Sequence, residues 1–191
     1  MANKKYKLLK DETLGFGRCK LHRIEALRDF GNVRKGDKGG FIEKGSNLSQ
    51  EGNAWVSGNA RVSGNALVSG NAQVSEDARV YKNARVFGNA QVYGDARVFG
   101  NAHVSENAQV YGNALVSENA QISGAACVYR DALVYGNAQV SGNAQVYGDA
   151  RVFGNAQISG NAWISQNASV YGNARVSGND RVYGEYGDVW I

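Results

Sequence analysis

The stretch Gly52-Asn53-Ala54-Trp55-Val56-Ser57 is followed at once by Gly58-Asn59-Ala60-Arg61-Val62-Ser63. The same six-residue unit, G-N-A-x-V-z, runs 22 times without a gap, up to the unit that contains Val182. Repetition at a fixed period is read first, because it decides the architecture before any single residue does. The aliphatic position is Val throughout except for Ile122, Ile158 and Ile164. Ala and Val stand two apart with a variable residue between them, the alternation of a strand with one buried face: Ala54 in, Trp55 out, Val56 in, Ser57 out. A helix needs apolar spacings of three and four. Here they are two and six, and a Gly-Asn dipeptide cuts each strand short.

The turn reads residue by residue. Its Gly position is taken by Glu76, Lys82, Glu106, Glu118, Arg130 and Gln166, so a missing Cβ is not strictly required there. Its Asn position is Asn or Asp in 21 of 22 units, with Ala125 as the exception. Asn and Asp are the non-glycine residues that best tolerate a left-handed backbone, which places the positive-φ corner at Asn.

The run V-S-G-N-A-R resembles the hexapeptide repeat of left-handed parallel β-helices, the solenoid of many acyltransferases. The resemblance implies an all-β, left-handed parallel β-helix in which three units make one triangular coil of 18 residues. The chain then holds about seven regular coils, each rising roughly 4.8 Å. Upstream, Gly31-Asn32-Val33 already has the flavour of a unit. With Asn47-Leu48-Ser49-Gln50-Glu51-Gly52 and Trp55-Val56 it makes roughly residues 24–56 similar to the N-terminal region of YdcK-like hexapeptide-repeat proteins of bacteria and their phages. That family's acetyltransferase-type label derives from its fold, so the resemblance brings little chemistry with it.

The domain organisation follows: an N-terminal hairpin and irregular first coil over 1–50, the β-helix over 51–185, and an end segment over 186–191. The hairpin is expected from Tyr6-Lys7-Leu8-Leu9, a turn through Gly15-Phe16-Gly17, and Cys19 to Leu27. The inner face of its second strand is not set by the pattern. Its simplest task is to cover the first coil, whose backbone would otherwise pair with any passing strand.

Charge is unevenly divided. Residues 1–50 carry 12 Lys/Arg and 6 Asp/Glu, whereas 51–191 carry 9 and 11. A basic rod tracking phosphates is therefore not supported, and nucleic acid is not the expected partner. Two cysteines, Cys19 and Cys127, read as a reduced pair. The first residues lack an apolar leader core and no run reaches membrane-span length, which points to the cytoplasm and away from a membrane.

Taking every third unit folds the repeat into three walls. The first carries Trp55, Gln73, Gln91, Gln109, Cys127 and Gln145 beside Tyr93, Tyr111, Tyr129 and Tyr147. The second carries Arg61, Arg79, Arg97, Leu115, Leu133 and Arg151 beside Tyr81, Phe99, Tyr135 and Phe153. The third is small, flat and polar. Ladders of like residues stiffen a prism by stacking, with glutamine ladders adding amide hydrogen bonds. Arg with aromatics is also the composition of a protein interface. The candidate binding residues are accordingly Arg79, Tyr81, Arg97, Phe99, Tyr135, Arg151 and Phe153. At the other end, Tyr186, Val189, Trp190 and Ile191 either fold over the last coil or join two copies as a dimer.

Catalysis finds little purchase. Acyltransferases of this fold interrupt their coils with loops and place a histidine there as general base. Here 22 units pass without an inserted residue, and the only histidines are His22 and His103. Two histidines fall short of the three-histidine site of β-helix carbonic anhydrases. No cofactor is expected. The expected function is a non-enzymatic β-solenoid binding protein, an accessory protein of a phage or mobile element that binds or inhibits a host protein. The alternatives are an acyl-CoA-dependent acyltransferase and an architectural rod.

Overall fold

The computed structural model describes residues 4–16 and 19–186. The repeat folds as a parallel β-solenoid. Each unit contributes one two-residue rung, such as Arg61–Val62 or Gln91–Val92, which pairs in parallel with the rungs 18 residues before and after it. Ala and the aliphatic residue of every unit point inward and are at most 1% exposed from Ala54 to Val170. With Ala as the second inward residue, the three walls close on a core of Val and Ile side chains.

Eight tiers stand on the first wall, from Trp55 to Arg181, and eight on the third, from Leu48 to Arg175. The stack is one coil longer than the regular repeat because residues 38–48 supply two walls of an extra coil. Strand β3 (Lys38–Ile42) pairs with Arg61–Val62, and Leu48 bridges to Val68.

The corner differs from the sequence expectation. The positive-φ residue is the Gly position, not Asn: Gly88 has φ 71°, and Glu76, Lys82, Glu106, Glu118, Arg130 and Gln166 hold φ between 57° and 61°. Asn is strict for another reason. Its Nδ2 donates to the Oδ1 of the Asn one coil on, and from Asn65 through Asn83, Asn101, Asn119, Asn137 and Asn155 to Asn173 these bonds run unbroken at 3.0–3.3 Å. Lys44 Nζ starts the row by donating to Asn65 Oδ1 at 3.0 Å. Asp77, Asp95, Asp131 and Asp149 all fall in a different row, where Asn113 donates to Asp131 at 2.9 Å.

At the N-terminal end β1 (Tyr6–Phe16) and β2 (Cys19–Ala26) pair antiparallel, and β2 pairs antiparallel with β3, so the hairpin extends the second wall downward. A register shift between Arg23 and Glu25 settles the inner face: Ile24 and Ala26 join the solenoid core. Side-chain donors then cover the first coil. Lys5 Nζ, fully buried, donates to the carbonyls of Ala54 (2.9 Å), Glu51 (3.3 Å) and Gly52 (3.4 Å) and lies 5.0 Å from the Phe30 ring. Tyr6 Oη donates to Leu48 O at 2.7 Å and reaches Gly45 O at 2.8 Å. Asn47 Nδ2 donates to Ala66 O at 2.8 Å. No helix among the described residues is long and apolar enough to cross a membrane.

Candidate interaction wall

The second wall brings the expected binding residues together. Its outward column pairs rung to rung as Arg61, Arg79, Arg97, Leu115, Leu133 and Arg151. Two residues further along each rung stands the aromatic column. Tyr81 and Phe99 stack at 4.8 Å with planes 6° apart, and Tyr135 and Phe153 at 4.9 Å with planes parallel. Tyr171, which sequence reasoning left out of the site, continues that stack at 5.3 Å from Phe153. Stacking half-buries the ladder rings, whereas the sequence pattern alone had them exposed. Only Tyr171, at 37%, stays open on this wall.

The electrostatics are one-sided. The ion pairs among the described residues lie in the N-terminal segment, Lys7 with Glu25, Arg23 and Lys38 with Glu12, and Arg34 with Asp29. Arg79, Arg97 and Arg151 are exposed and have no carboxylate within ion-pair distance among those residues. Burial pushes the Tyr81 phenol above its usual range, and the Arg97 and Arg79 guanidiniums oppose that shift. The wall therefore presents cations and half-buried stacked rings side by side.

The first wall carries the longer stack. Tyr93, Tyr111, Tyr129 and Tyr147 form one continuous stack at 4.8–4.9 Å, closed by the edge of Trp163. Its glutamines do not form the amide ladder that their spacing promised. Gln109 and Gln145 instead accept from the hydroxyls of Tyr93 (3.4 Å) and Tyr129 (3.2 Å), and Gln73 Nε2 donates to Asn53 O. Cys127 takes a glutamine place in this column. Its thiol is free and half-buried, and burial raises its pKa, which keeps it protonated and a poor nucleophile.

The two histidines are far from each other's chemistry. His22 Nδ1 lies 3.3 Å from Leu9 O in the hairpin, while His103 sits on the third wall against the edge of Phe87 at 6.3 Å. A groove of about 270 Å³ beside the first wall is lined by Gly31, Asn32, Val33, Asn53, Asn71 and Gln73, none of which titrates in the range of acid–base catalysis. Among the described residues no three His, Cys, Asp or Glu side chains converge on a metal position. The backbone of Tyr186 ends the last strand, and Val189, Trp190 and Ile191 lie outside the described residues.

Fold and repeat together define the class: a parallel β-solenoid of short, uninterrupted repeats. The family model described as YdcK Beta solenoid repeat matches residues 54–70, 60–76, 90–106, 108–124, 144–156, 156–172 and 168–184, just over half of the chain. The chain belongs to the YdcK β-solenoid repeat family. No curated protein matches it.

Proposed function

We propose that this protein is a non-enzymatic binding rod that docks a protein partner on its second wall. The observation that carries the reading is the set of exposed arginines Arg79, Arg97 and Arg151, with no ion-pair partner among the described residues, beside stacked rings. Arginine and aromatics dominate binding energy at protein contacts, and a preformed ladder has little conformational entropy left to lose on binding. In the bacterial or phage setting of the family resemblance, the partner is a host protein whose surface the rod occupies. The acidic corner row Asp77, Asp95, Asp131 and Asp149 runs beside the arginines, which favours a partner of mixed charge over a polyanion.

The test compares partner capture from the native host by wild type, Arg79→Ala, Phe153→Ala and the third-wall control Arg175→Ala. Each second-wall change is expected to weaken binding by about tenfold or more, since a central hot spot is worth about 1.4 kcal/mol at least. Capture that survives both second-wall changes removes this wall from the interface. Calorimetry with acetyl-CoA addresses the non-enzymatic part, and saturable binding there would overturn it.

A further inference from the structure

One rung of the second wall breaks its pattern twice. Its aromatic column reads Tyr81, Phe99, Ser117, Tyr135, Phe153, Tyr171, so a stacked pair and a stacked triplet are separated by a rung that carries no ring. Its neighbouring column loses its charge at that rung and at the next, where Leu115 and Leu133 stand between Arg97 and Arg151. Ring-to-ring spacing along the stacks is 4.8–4.9 Å for Tyr81–Phe99 and Tyr135–Phe153. Phe99 and Tyr135 are therefore two rungs, about 9.6 Å, apart. That is the separation of two stacked rings with a third between them.

The floor of the gap is Ser117. It is 5% exposed, so the flanking groups shade it and the opening is narrow. Its amide and carbonyl are used by the backbone, to Val134 O at 3.0 Å and from Ala120 N at 3.2 Å, while its hydroxyl makes no hydrogen bond among the described residues. Lys82 Nζ lies 5.2 Å from the Phe99 ring centroid.

We propose that this rung is a socket for one planar aromatic side chain of the protein partner. The assignment deepens the wall reading above and rests on it. The ring enters edge first, stacks on Phe99 and Tyr135, meets the Ser117 hydroxyl at the floor, and is flanked by Leu115 and Leu133. Insertion covers two ring faces at once. The leucines exclude a charged occupant. Glu118, next to Ser117, and Asp131, two residues before Leu133, repel the phosphate that a nucleobase would bring. A tryptophan or tyrosine side chain meets neither obstacle.

The experiment titrates N-acetyl-tryptophanamide into the full chain and follows side-chain proton resonances. Saturable upfield shifts are expected at Ser117 and at the rings of Phe99 and Tyr135. Ser117→Tyr fills the socket and completes a six-ring ladder, so it should raise the thermal midpoint while weakening the probe at least tenfold. Gln139→Ala on the third wall should leave both unchanged. Equal shifts along the Tyr93–Tyr147 stack, or full binding by Ser117→Tyr, would overturn the socket. So would stronger shifts with adenosine monophosphate, or a concentration-dependent dimer that Ser117→Tyr dissolves, which would give the socket to another occupant. If the socket fails while Arg79→Ala still abolishes partner capture, the wall reading stands without it. If both fail, both fall.

Discussion

At the residue scale, the corner shows how a strict position and a strained position can be two different residues. The left-handed conformation belongs to the Gly position, yet six units place a side chain there at φ near 60°. A non-glycine residue in that conformation costs about 1 kcal/mol. Two of the glutamates recover something for it: Glu76 Oε2 accepts from Gly94 N at 2.9 Å and Glu106 Oε2 from Gly124 N at 2.8 Å, amides that the coil-to-coil ladder does not use. Glu118 makes no such bond among the described residues. Glu118→Gly is therefore expected to stabilise the protein by about 1 kcal/mol, read from the urea midpoint. Glu106→Gly should gain less, because it strips Gly124 N of its acceptor. The sequence contained this contrast only in part. It shows which positions tolerate substitution, but a backbone angle is a property of the closed turn, and the preference of Asn for left-handed geometry pointed to the wrong member of the pair.

At the element scale, the unit of stability is a row running along the prism, with members 18 residues apart. The asparagine row from Asn65 to Asn173 has every link, whereas the row from Asn53 through Asn71 and Asn89 to Asn107 stops at Ala125 and resumes at Asn143. Ala125→Asn restores two amide bonds, from Asn107 and to Asn143. It should add about 1 kcal/mol, the net worth of exposed hydrogen bonds being small. A denaturant midpoint that does not move would show that these ladders follow the fold without supporting it. The rows themselves were legible, because a period of six taken three at a time assigns every outward residue to a wall. What each row does was not. Glutamine and asparagine carry the same amide, and only the corner brings successive side chains within reach in register, while on the flat wall tyrosine hydroxyls take the glutamine oxygens.

At the scale of the whole molecule, the prism is polar from end to end. In most units the amides of Asn, x and z donate to the following coil, while the carbonyls of Gly, Ala and Val accept from the preceding one. The N-terminal end therefore offers mostly acceptors, and Lys5 meets three of them with the three protons of one ammonium. Burial lowers the Lys5 pKa from 10.5 to about 8, with Arg28 adding to the effect, and burial raises Tyr6 from 10.0 to about 12. The signs then oppose. Between pH 8 and about 10 the folded state has released the Lys5 proton that the unfolded chain still holds, so stability rises with pH. Above 10 the unfolded chain loses the tyrosine proton that the folded state keeps, so stability falls. Urea midpoints across pH 7–12 should pass through a maximum near pH 10, and Lys5→Met should abolish the rising limb while leaving the fall.

The sequence by itself determined the six-residue period, the inward Ala and Val, and the three walls with their stacked tyrosines, because these depend only on the alternation of a strand and on a repeat length that never slips. Tertiary structure alone decided which corner residue bears the strain, which lysine covers the first coil, and that Ser117 is buried between the two ring stacks. Those are relations between groups on different coils, or between the N-terminal hairpin and the stack. They depend on hydrogen-bond direction and ring spacing, which no single unit of the repeat encodes.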